Sequence, residues 1–371
     1  MNKADLIFAA GENSADILYA SGFQAPDPFV YFSFRQERAV IVSALEQDRA
    51  EKECKQNITI FGRNEFSKGD KASDLDVICS MAQSREITEF RVPYDFPLGL
   101  ADDLRKRGLT VKAENGVFYP ERQYKSQREA LFIEAAQRVA ESGMRRGIDI
   151  IGEASVNSDC ILEWNGDILT SEILQAEINI AMLRLGGFAD ATIAACGGQA
   201  AEPHNAGSGP VYAGKPLIMD IFPRMKKSGY WGDITRTVVK GQAPEIVRKA
   251  YEAVFEARDY AKTLIRPGAV PSEIHQAAKE LMERRGFRTG RQDGRNFGFF
   301  HGLGHSVGLE IHEKPSLSPV NSEPLRGGEV VTVEPGLYYP EWGGVRLEDI
   351  VVVTSDGCRC LTKMEDVLEI R

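Results

Sequence analysis

The segment His301-Gly-Leu-Gly-His305-Ser-Val-Gly-Leu-Glu-Ile-His312 carries the strongest indication of the fold. It is followed by Val333-Glu334-Pro335-Gly336 and then by Gly344-Val345-Arg346-Leu347-Glu348-Asp349. Histidines and carboxylates spaced among glycines and short β-type runs are typical of metal ligands held on a sheet. The segment therefore predicts a metal site whose remaining ligands lie elsewhere in the chain.

The composition limits the class of protein and its partners. A chain of 371 residues is long enough for two or three domains. It carries 45 Lys plus Arg against 54 Asp plus Glu, and no basic stripe, which argues against nucleic acid as a partner. No apolar run reaches the roughly 18 residues that span a bilayer, so we expect no membrane partner. The N-terminal apolar run is too short for a signal peptide, and the six cysteines show no zinc-type pairing, which predicts reduced thiols in a cytoplasmic protein.

The first third of the chain has the pattern of a small α/β domain. Strands are predicted at residues 29–34, 39–43, 58–61, 87–92 and 109–112, and a helix between 97 and 108. This part contains no histidine and no glycine-rich phosphate loop. We therefore expect it to be a scaffold, a lid or a dimer surface. A long amphipathic helix is predicted next, at residues 125–145, and a second at about 170–185.

Two carboxylates mark the arms of a predicted β-hairpin. After a β-type run at 188–197, the segment Leu217-Ile-Met-Asp220 leads into the polar turn Lys-Lys-Ser-Gly229, and the chain returns through Asp233-Ile-Thr-Arg-Thr237. Asp220 ends an apolar run, where an unpaired carboxylate would be costly to bury. Antiparallel arms bring residues opposite one another, so Asp220 and Asp233 could share one cation.

The C-terminal part repeats this arrangement. Residues 329–334 form a predicted strand that ends in Glu334, Pro335-Gly336 interrupts it, and residues 344–353 return through Glu348. Helices are predicted between the two hairpins at 245–264 and 272–285. Four carboxylates and one or more histidines that converge from two hairpins could hold two divalent ions in an oxygen-rich site. Such a pair of ions polarises a carbonyl and generates hydroxide near neutral pH.

These segments resemble those of the "pita-bread" metallopeptidases, a family that comprises methionine aminopeptidase, aminopeptidase P and prolidase, together with the metal-free creatinases. The resemblance rests on the following segments: Pro203-His204, residues 217–220 and 232–237, the His301–His312 motif, and residues 333–336 and 345–349. It implies an α+β fold. A small creatinase-like α/β N-terminal domain, residues 1–122, would precede a pseudo-symmetric pita-bread catalytic domain, residues 123–371, with a curved antiparallel sheet flanked by helices.

The resemblance also implies roles for individual residues. The family's metal ligands fall on Asp220, Asp233, His305, Glu334 and Glu348. Asp233 and Glu348 would bridge two divalent ions, with Mn²⁺ expected first and Co²⁺ or Zn²⁺ as alternatives. Asp220 would bind one ion only, and His305 and Glu334 the other, with Glu334 moving the proton of the attacking water. The catalytic residues would further include His204, His301 and His312, which hold substrate and stabilise the oxyanion, and Arg346, which orients acidic partners.

The implied activity is hydrolysis of the N-terminal Xaa-Pro bond of peptides, so that the main prediction is an Xaa-Pro aminopeptidase. A prolidase that cleaves Xaa-Pro dipeptides is the alternative. Methionine aminopeptidase is less favoured because such enzymes generally lack the N-terminal domain. A non-catalytic binding protein on the same fold would retain no metal. The expected partners are a peptide with proline at its second position and further copies of the chain in a homodimer or larger homo-oligomer.

Two departures from the family pattern are visible. The span from Asp220 to Asp233 is about two residues longer than in prolidases, and Ser306 stands where glycine is commoner. Neither removes a ligand. Because metal-free members of the fold lose several of the five ligands, their full retention here favours a working enzyme.

Overall fold

A computed structural model of the protein describes residues 2–67, 73–189 and 191–371. The chain divides into two compact units, Met1–Arg122 and Gln123–Arg371. None of the six cysteines forms a disulfide. In the described parts of the chain, no helix is long and apolar enough to cross a membrane.

In its described residues, the N-terminal unit contains one mixed six-stranded sheet with four α-helices. Its strands are β1 (Lys3–Ala9), β2 (Phe29–Phe34), β3 (Glu37–Val42), β4 (Thr59–Gly62), β5 (Glu89–Val92) and β6 (Thr110–Ala113), in the order β4-β3-β2-β1-β5-β6. Its helices are α1 (Ala15–Ser21), α2 (Gln47–Glu53), α3 (Asp74–Ser84) and α4 (Leu98–Lys106). The central strand β1 and the helices α1 and α3 were absent from the sequence-based prediction.

The sheet of this unit is covered by apolar side chains on both faces. Successive residues of a strand point to opposite faces. On β1, Leu6 belongs to one apolar cluster and Ile7 to the other, and on β2 Phe32 and Tyr31 separate in the same way. The near-continuous apolar runs of β2 and β3 are therefore those of strands buried on both faces.

The second unit has four helices and eighteen short strands in its described residues. The helices are α5 (Gln127–Glu153), α6 (Ser171–Leu183), α7 (Glu245–Leu264) and α8 (Pro271–Arg284). The strands of its first half are β7 (Ser155–Val156), β8 (Leu162–Trp164), β9 (Asp167–Ile168), β10 (Gly187–Phe188), β11 (Ile193–Cys196), β12 (Leu217–Ile221), β13 (Arg224–Met225) and β14 (Ile234–Lys240). Those of its second half are β15 (Gly290–Gln292), β16 (Arg295–Phe297), β17 (Gly304–Ser306), β18 (Glu313–Leu317), β19 (Val330–Val333), β20 (Gly336–Tyr339), β21 (Gly343–Arg346), β22 (Asp349–Val353), β23 (Cys358–Cys360) and β24 (Glu369–Ile370).

Several bounds differ from those that the sequence predicted. Helix α5 runs on to Glu153, because its apolar face continues past residue 145 through the buried Ile150 and Ile151. The β-type run at 188–197 is present as β10 and β11, and residue 190 between them lies outside the described residues. The second hairpin is interrupted on both arms: β19 pairs with β22, and β20 pairs with β21.

The second unit consists of two similar halves. In the first half, α5 and α6 pack on the sheet β11-β12-β14-β24 around Met144, Ile178 and Met219. In the second half, α7 and α8 pack on the sheet β18-β17-β19-β22-β23 around Val254, Ala278 and other apolar residues. In the described residues each half therefore contributes two helices, one sheet of four or five strands and one of the predicted hairpins, as expected for the pita-bread fold.

Hydrogen bonds join the two sheets where β14 runs beside β21 and β22. The Glu348 amide donates to the Thr235 carbonyl at 3.0 Å. The Thr237 hydroxyl donates to the Arg346 carbonyl at 2.9 Å and accepts from the Arg346 amide at 2.9 Å. The returning arms of the two hairpins, which carry Asp233 and Glu348, are thus held side by side.

Candidate metal centre

The first hairpin places Asp220 and Asp233 at one end of its sheet. Asp220 lies on β12 opposite Thr235 of β14, and Asp233 immediately precedes β14. The buried Gln137 of α5 holds the Asp233 backbone at both polar atoms: its amide nitrogen donates to the Asp233 carbonyl at 2.8 Å, and its amide oxygen accepts from the Asp233 N–H at 2.8 Å. Helix α5 therefore fixes the position of Asp233.

The second hairpin supplies Glu334 and Glu348. Glu334 directly follows β19, and the Thr332 hydroxyl lies 3.3 Å from its Oε1. Glu348 directly precedes β22 and is 2% exposed. The Thr235 hydroxyl contacts Glu348 Oε2 at 2.8 Å and Asp220 Oδ1 at 2.9 Å. Because one hydroxyl has a single proton to donate, two carboxylates can share this contact only if a proton or a cation compensates their charge.

His305 on β17 points its Nε2 atom at these carboxylates. Nε2 lies 3.3 Å from Glu334 Oε1 and 3.6 Å from Asp233 Oδ2. The Nδ1 atom lies 3.3 Å from the Ser306 carbonyl, which can only accept, so Nδ1 carries the proton and Nε2 presents a lone pair. Burial lowers the His305 pKa to about 4, so the ring is neutral at pH 7. A neutral imidazole with its free nitrogen aimed at carboxylates is the arrangement of a metal ligand.

The buried carboxylates raise one another's pKa. Burial and then the charges of Glu348 and Asp220 raise the pKa of Asp233. Burial and then the charges of Glu334 and Asp220 raise the pKa of Glu348. Burial is also the main cause that raises the pKa of Glu334 to about 8, against the lowering effect of Arg346. This concentration of buried negative charge exceeds what one guanidinium neutralises.

The donor set therefore fits divalent cations. One donor atom from each of Asp233, His305 and Glu348 lies within 4.8 Å of the others. Carboxylate oxygens with an imidazole nitrogen suit Mn²⁺, Co²⁺ and Zn²⁺, and a cation would relieve the repulsion that raises the carboxylate pKa values. The structure brings all five predicted ligand side chains to the junction between the two sheets.

A hydrogen-bonded chain connects the remaining predicted residues. The buried Arg346 donates from Nη2 to Asp220 Oδ2 at 2.7 Å and from Nη1 to the Tyr338 hydroxyl at 2.9 Å. The Tyr338 oxygen lies 3.0 Å from His301 Nε2, and His301 Nδ1 lies 2.7 Å from the Gly302 carbonyl. Since Nδ1 must donate to that carbonyl and burial lowers the His301 pKa to about 3, Nε2 accepts from Tyr338. The chain runs from Arg346 through Tyr338 to His301.

His312 and His204 occupy more open positions. The His312 ring packs edge-on against the His305 ring, with 4.3 Å between centroids. His204 lies in an exposed loop that follows a 3₁₀ turn at Gly197–Ala201, close enough for its charge to lower the pKa of both His301 and His312. Among the residues that the structure describes, neither His204 nor His312 donates or accepts a hydrogen bond through its ring.

Several residues of this site were not among those predicted from the sequence. Thr235 and Thr237 alternate with Asp233 on one face of β14, so the two-residue period of the strand could have identified them. Tyr338 follows Glu334 by four residues, but nothing in that spacing indicates a bond to both Arg346 and His301. Gln137 lies in the middle of an amphipathic helix and has no local signal.

Residues 132–355 match the sequence model of metallopeptidase family M24, more than half of the chain. The chain belongs to this family. The M24 chain is 31% identical over 284 residues to an Xaa-Pro dipeptidase of Pyrococcus horikoshii, an alignment that covers 75% of this chain and 74% of the relative.

Solved structures share the fold of this M24 protein over nearly its whole length. Prolidase from Pyrococcus furiosus superposes with a TM-score of 0.78 at 27% identity, covering 98% of this chain and 96% of the other. X-Pro aminopeptidase from Thermotoga maritima has a TM-score of 0.84 at 23% identity, covering 99% of this chain and 97% of the other. At 23% identity the second match shows the fold alone. Membership of a metallopeptidase family implies divalent metal ions, and the carboxylate–histidine cluster is placed to hold them.

Titration of the site should make the metal-free protein less stable as pH rises. A carboxyl group whose pKa is raised on folding binds its proton more tightly in the folded than in the unfolded protein. The bound proton therefore stabilises the folded protein at low pH. This stabilisation is lost as the pH rises from the ordinary carboxyl pKa to the raised one, which is about 8 for Glu334. We expect the Tm of metal-free protein to fall between pH 5 and 8.5, and added Mn²⁺ to raise it most at the high end. Thermal melts with and without Mn²⁺ measure this.

The matched control for this pH dependence is Glu334→Gln, which keeps the side-chain volume and removes the titration. Its metal-free Tm should depend less steeply on pH than that of the wild type over the same range. A slope unchanged by Glu334→Gln would contradict the assignment of the effect to this carboxylate.

Proposed function

We propose that this M24 protein is a metal-dependent Xaa-Pro dipeptidase, a prolidase. The observation that carries the proposal is the alignment with the Pyrococcus horikoshii Xaa-Pro dipeptidase, which extends over about three quarters of both chains. Prolidase from Pyrococcus furiosus, which superposes over nearly the whole chain, supports the same choice. The dipeptidase, which was the alternative to an Xaa-Pro aminopeptidase on sequence grounds, thereby becomes the leading candidate.

We further propose that two divalent ions bind, Mn²⁺ first, with Asp233 and Glu348 as shared ligands. The position of these two carboxylates on adjoining hairpin arms, beside both Asp220 and His305, supports this assignment. When bound, divalent ions polarise the scissile carbonyl and lower the pKa of water toward neutrality. Asp220 and Arg346, linked at 2.7 Å, would hold one side of the site, and His305 and Glu334 the other.

Glu334 is the residue that we assign to proton movement. It lies at the junction of the two sheets with 17% of its side chain exposed, so an attacking water can reach its carboxylate, which can act as a general base and then as a general acid. Its Oε1 atom would accept the proton of the attacking water and return it to the leaving imino nitrogen of proline. Thr332, whose hydroxyl lies 3.3 Å from the same oxygen, would keep this carboxylate oriented.

The three other histidines that were predicted at the site differ in the hydrogen bonds of their rings. His301 uses both ring nitrogens within the protein, so we assign it to orientation of Tyr338 and Arg346. His204 and His312 keep their ring nitrogens for substrate, and we propose that they bind the peptide carbonyl or carboxylate and stabilise the oxyanion. The creatinase-like character of the N-terminal unit, a homo-oligomeric state and a cytoplasmic location remain predictions.

The proposal is tested by comparing three substrates on Mn²⁺-loaded protein. We expect Ala-Pro to be cleaved about 10-fold or more faster than Ala-Ala, because a site that fits the proline ring discriminates against a smaller residue by about this order. A dipeptidase should also cleave Ala-Pro faster than Ala-Pro-Ala, and an aminopeptidase should show the reverse. Removal of metal by a chelator should abolish all three activities, and Mn²⁺ should restore them.

The outcome that would overturn the proposal is equal cleavage of Ala-Pro and Ala-Ala, or no hydrolysis of any of the three with Mn²⁺ or Co²⁺ present. Faster cleavage of Ala-Pro-Ala than of Ala-Pro would reinstate the aminopeptidase.

A further inference from the structure

The loop between His305 and His312 closes like a hairpin. Strand β17 ends at Ser306 and β18 begins at Glu313, and these two residues are paired, with a register shift between His305 and Ser306. His305 and His312 immediately precede the two members of this pair. Whatever holds Ser306 to Glu313 therefore also sets the separation of the two histidine rings.

The side chain of Lys125 bridges the two ends of this loop. Its Nζ donates to Ser306 Oγ at 2.9 Å and to Glu313 Oε2 at 2.9 Å. Both charged side chains are buried, with 2% of Lys125 and 6% of Glu313 exposed. Lys125 lies just before α5, and its backbone N–H donates to the Gly328 carbonyl at 2.8 Å, so the base of the side chain is itself anchored.

The Glu313 carboxylate also organises the middle of the loop. Its Oε1 accepts from the amides of Leu309 at 3.1 Å and Glu310 at 3.2 Å. A Cβ atom on Gly308 would lie 2.5–2.7 Å from the carboxylate atoms, so a glycine is needed for the carboxylate to fold back over the loop. The loop is thus built around the carboxylate that Lys125 neutralises.

A buried ion pair of this kind adds little net stability, because removing both charges from water costs about as much as their attraction returns. The pair instead helps to set the orientation of the His305 ring at the candidate metal centre. The Ser306 carbonyl, on the residue that Lys125 holds, accepts from His305 Nδ1 and so turns His305 Nε2 toward Glu334. The Lys125 ammonium group therefore helps to fix the positions of both His305 and His312, since it holds the residue that follows each of them.

We propose that Lys125 is a positioning residue that ties the two ends of the His305–His312 loop and so aims His305 Nε2 at the metal site. The effect on catalysis rests on the proposed function, but the effect on metal binding does not. Residues that orient metal ligands typically change metal affinity or activity by about 10–100-fold when they are lost.

The experiment separates charge from geometry with four variants: Lys125→Met, Lys125→Arg, Glu313→Gln and the double variant Lys125→Met/Glu313→Gln. Each is measured for metal-free Tm, for Co²⁺ affinity and visible Co²⁺ spectrum, and for kcat and KM on Ala-Pro. Arg146→Met is the control, since Arg146 also lies on the α5 segment but pairs with Glu177 of α6 at 2.7 Å.

We expect Lys125→Met to lower Tm, to weaken Co²⁺ binding and kcat/KM by about 10–100-fold, and to alter the Co²⁺ spectrum. In the double variant Tm should recover, because no buried charge is left unpaired. Its Co²⁺ affinity, spectrum and kcat should stay impaired, because the Ser306 hydroxyl no longer accepts a hydrogen bond from Lys125. Lys125→Arg, which keeps the charge and donors, should restore part of the Co²⁺ affinity. Arg146→Met should leave the spectrum unchanged.

The inference is overturned if the double variant regains wild-type Co²⁺ affinity and spectrum together with Tm, since the pair would then be structural only. It is also overturned if folded Lys125→Met binds Co²⁺ as the wild type does. Wild-type protein that fails to cleave Ala-Pro but shows these Co²⁺ effects would refute the proposed dipeptidase and retain the role of Lys125.

Discussion

Replacement of either Asp233 or Glu348 by its amide should abolish hydrolysis while the fold is retained. Both carboxylates are almost completely buried, at 4% and 2% exposed, and both supply donor atoms to the same cluster as His305. An amide keeps the volume and can still accept a hydrogen bond, but it loses the negative charge that a divalent ion needs. Because a Lewis acid supplies several kcal/mol of transition-state stabilisation, we expect kcat/KM to fall by about 1,000-fold or more.

The same amide variants should be at least as stable as the wild type in the absence of metal. The pKa of each carboxyl is raised by burial and by neighbouring carboxylates. At pH 8 in the absence of metal, a negative charge on either group therefore destabilises the folded wild-type protein. Asp233→Asn or Glu348→Gln removes one source of repulsion. Loss of activity with an unchanged or higher metal-free Tm would separate a ligand role from a structural one.

The measurements are kcat/KM on Ala-Pro with Mn²⁺, bound metal per chain after dialysis, and metal-free Tm at pH 8. Asp167→Asn on the exposed strand β9 is the control for the chemical change and should behave as wild type in all three. Full activity in Asp233→Asn or in Glu348→Gln would refute the assignment of these residues as shared ligands.

Removal of the Arg346 guanidinium should damage both stability and metal binding. Arg346 is buried and donates to four acceptors: Asp220 Oδ2, the Tyr338 hydroxyl, Thr235 Oγ1 and the Pro203 carbonyl. Arg346→Met leaves the Asp220 carboxylate without its cation, and breaking a buried pair on one side costs about 3–5 kcal/mol. The guanidinium also fixes the orientation of the Asp220 carboxylate, so its loss should weaken Mn²⁺ binding.

Arg346→Lys distinguishes the charge from the shape of the group. A lysine ammonium keeps the positive charge but cannot reproduce the planar fork that reaches four acceptors. We expect it to recover part of the stability and Mn²⁺ affinity and little of kcat, because Tyr338 and His301 lose their fixed orientation. Urea unfolding of metal-free protein and Mn²⁺ titration calorimetry measure the two effects.

Arg359→Met is the control for loss of a guanidinium. Arg359 pairs with Glu134 at 3.0 Å with half of its side chain exposed, so its loss should cost no more than about 1 kcal/mol. An Arg346→Met variant with stability equal to that of the Arg359→Met variant would contradict the structural role of the buried network.

The sequence was most informative about features that depend on residues close together in the chain, such as the two hairpins and the carboxylates at their strand ends. Asp220, Asp233, Glu334 and Glu348 stand at the ends of short apolar strands, and a carboxylate in that position is expensive unless it is paired. The hairpins that carry them follow from their strand and turn patterns, and β12 and β14 do pair antiparallel as predicted. The family resemblance extended these patterns to the fold, and membership of family M24 confirms it.

Other features could not be predicted because they depend on contacts between distant segments. Gln137 and Lys125 reach the site from the α5 region, 96 and 181 residues away from the partners they hold, Asp233 and Ser306. The second hairpin is interrupted at Pro335 on one arm and at Leu347-Glu348 on the other. The second interruption lets the Glu348 amide bond to the Thr235 carbonyl, so it depends on a strand of the neighbouring sheet. Strand β1 was missed because its pattern is completed only by pairing with β2 and β5.

The sequence by itself therefore indicated the family, the two hairpins and the five side chains that we propose as metal ligands, because these depend on residue type and on periods of a few residues. Tertiary structure decided the hydrogen bonds of the four histidines predicted at the site. The His301 ring is bonded to Tyr338, the His305 ring to the Ser306 carbonyl, and the rings of His204 and His312 make no hydrogen bond among the described residues. Tertiary structure also decided that Lys125 closes the loop between His305 and His312. Such contacts are set by packing between sheets and helices, and no local pattern encodes them.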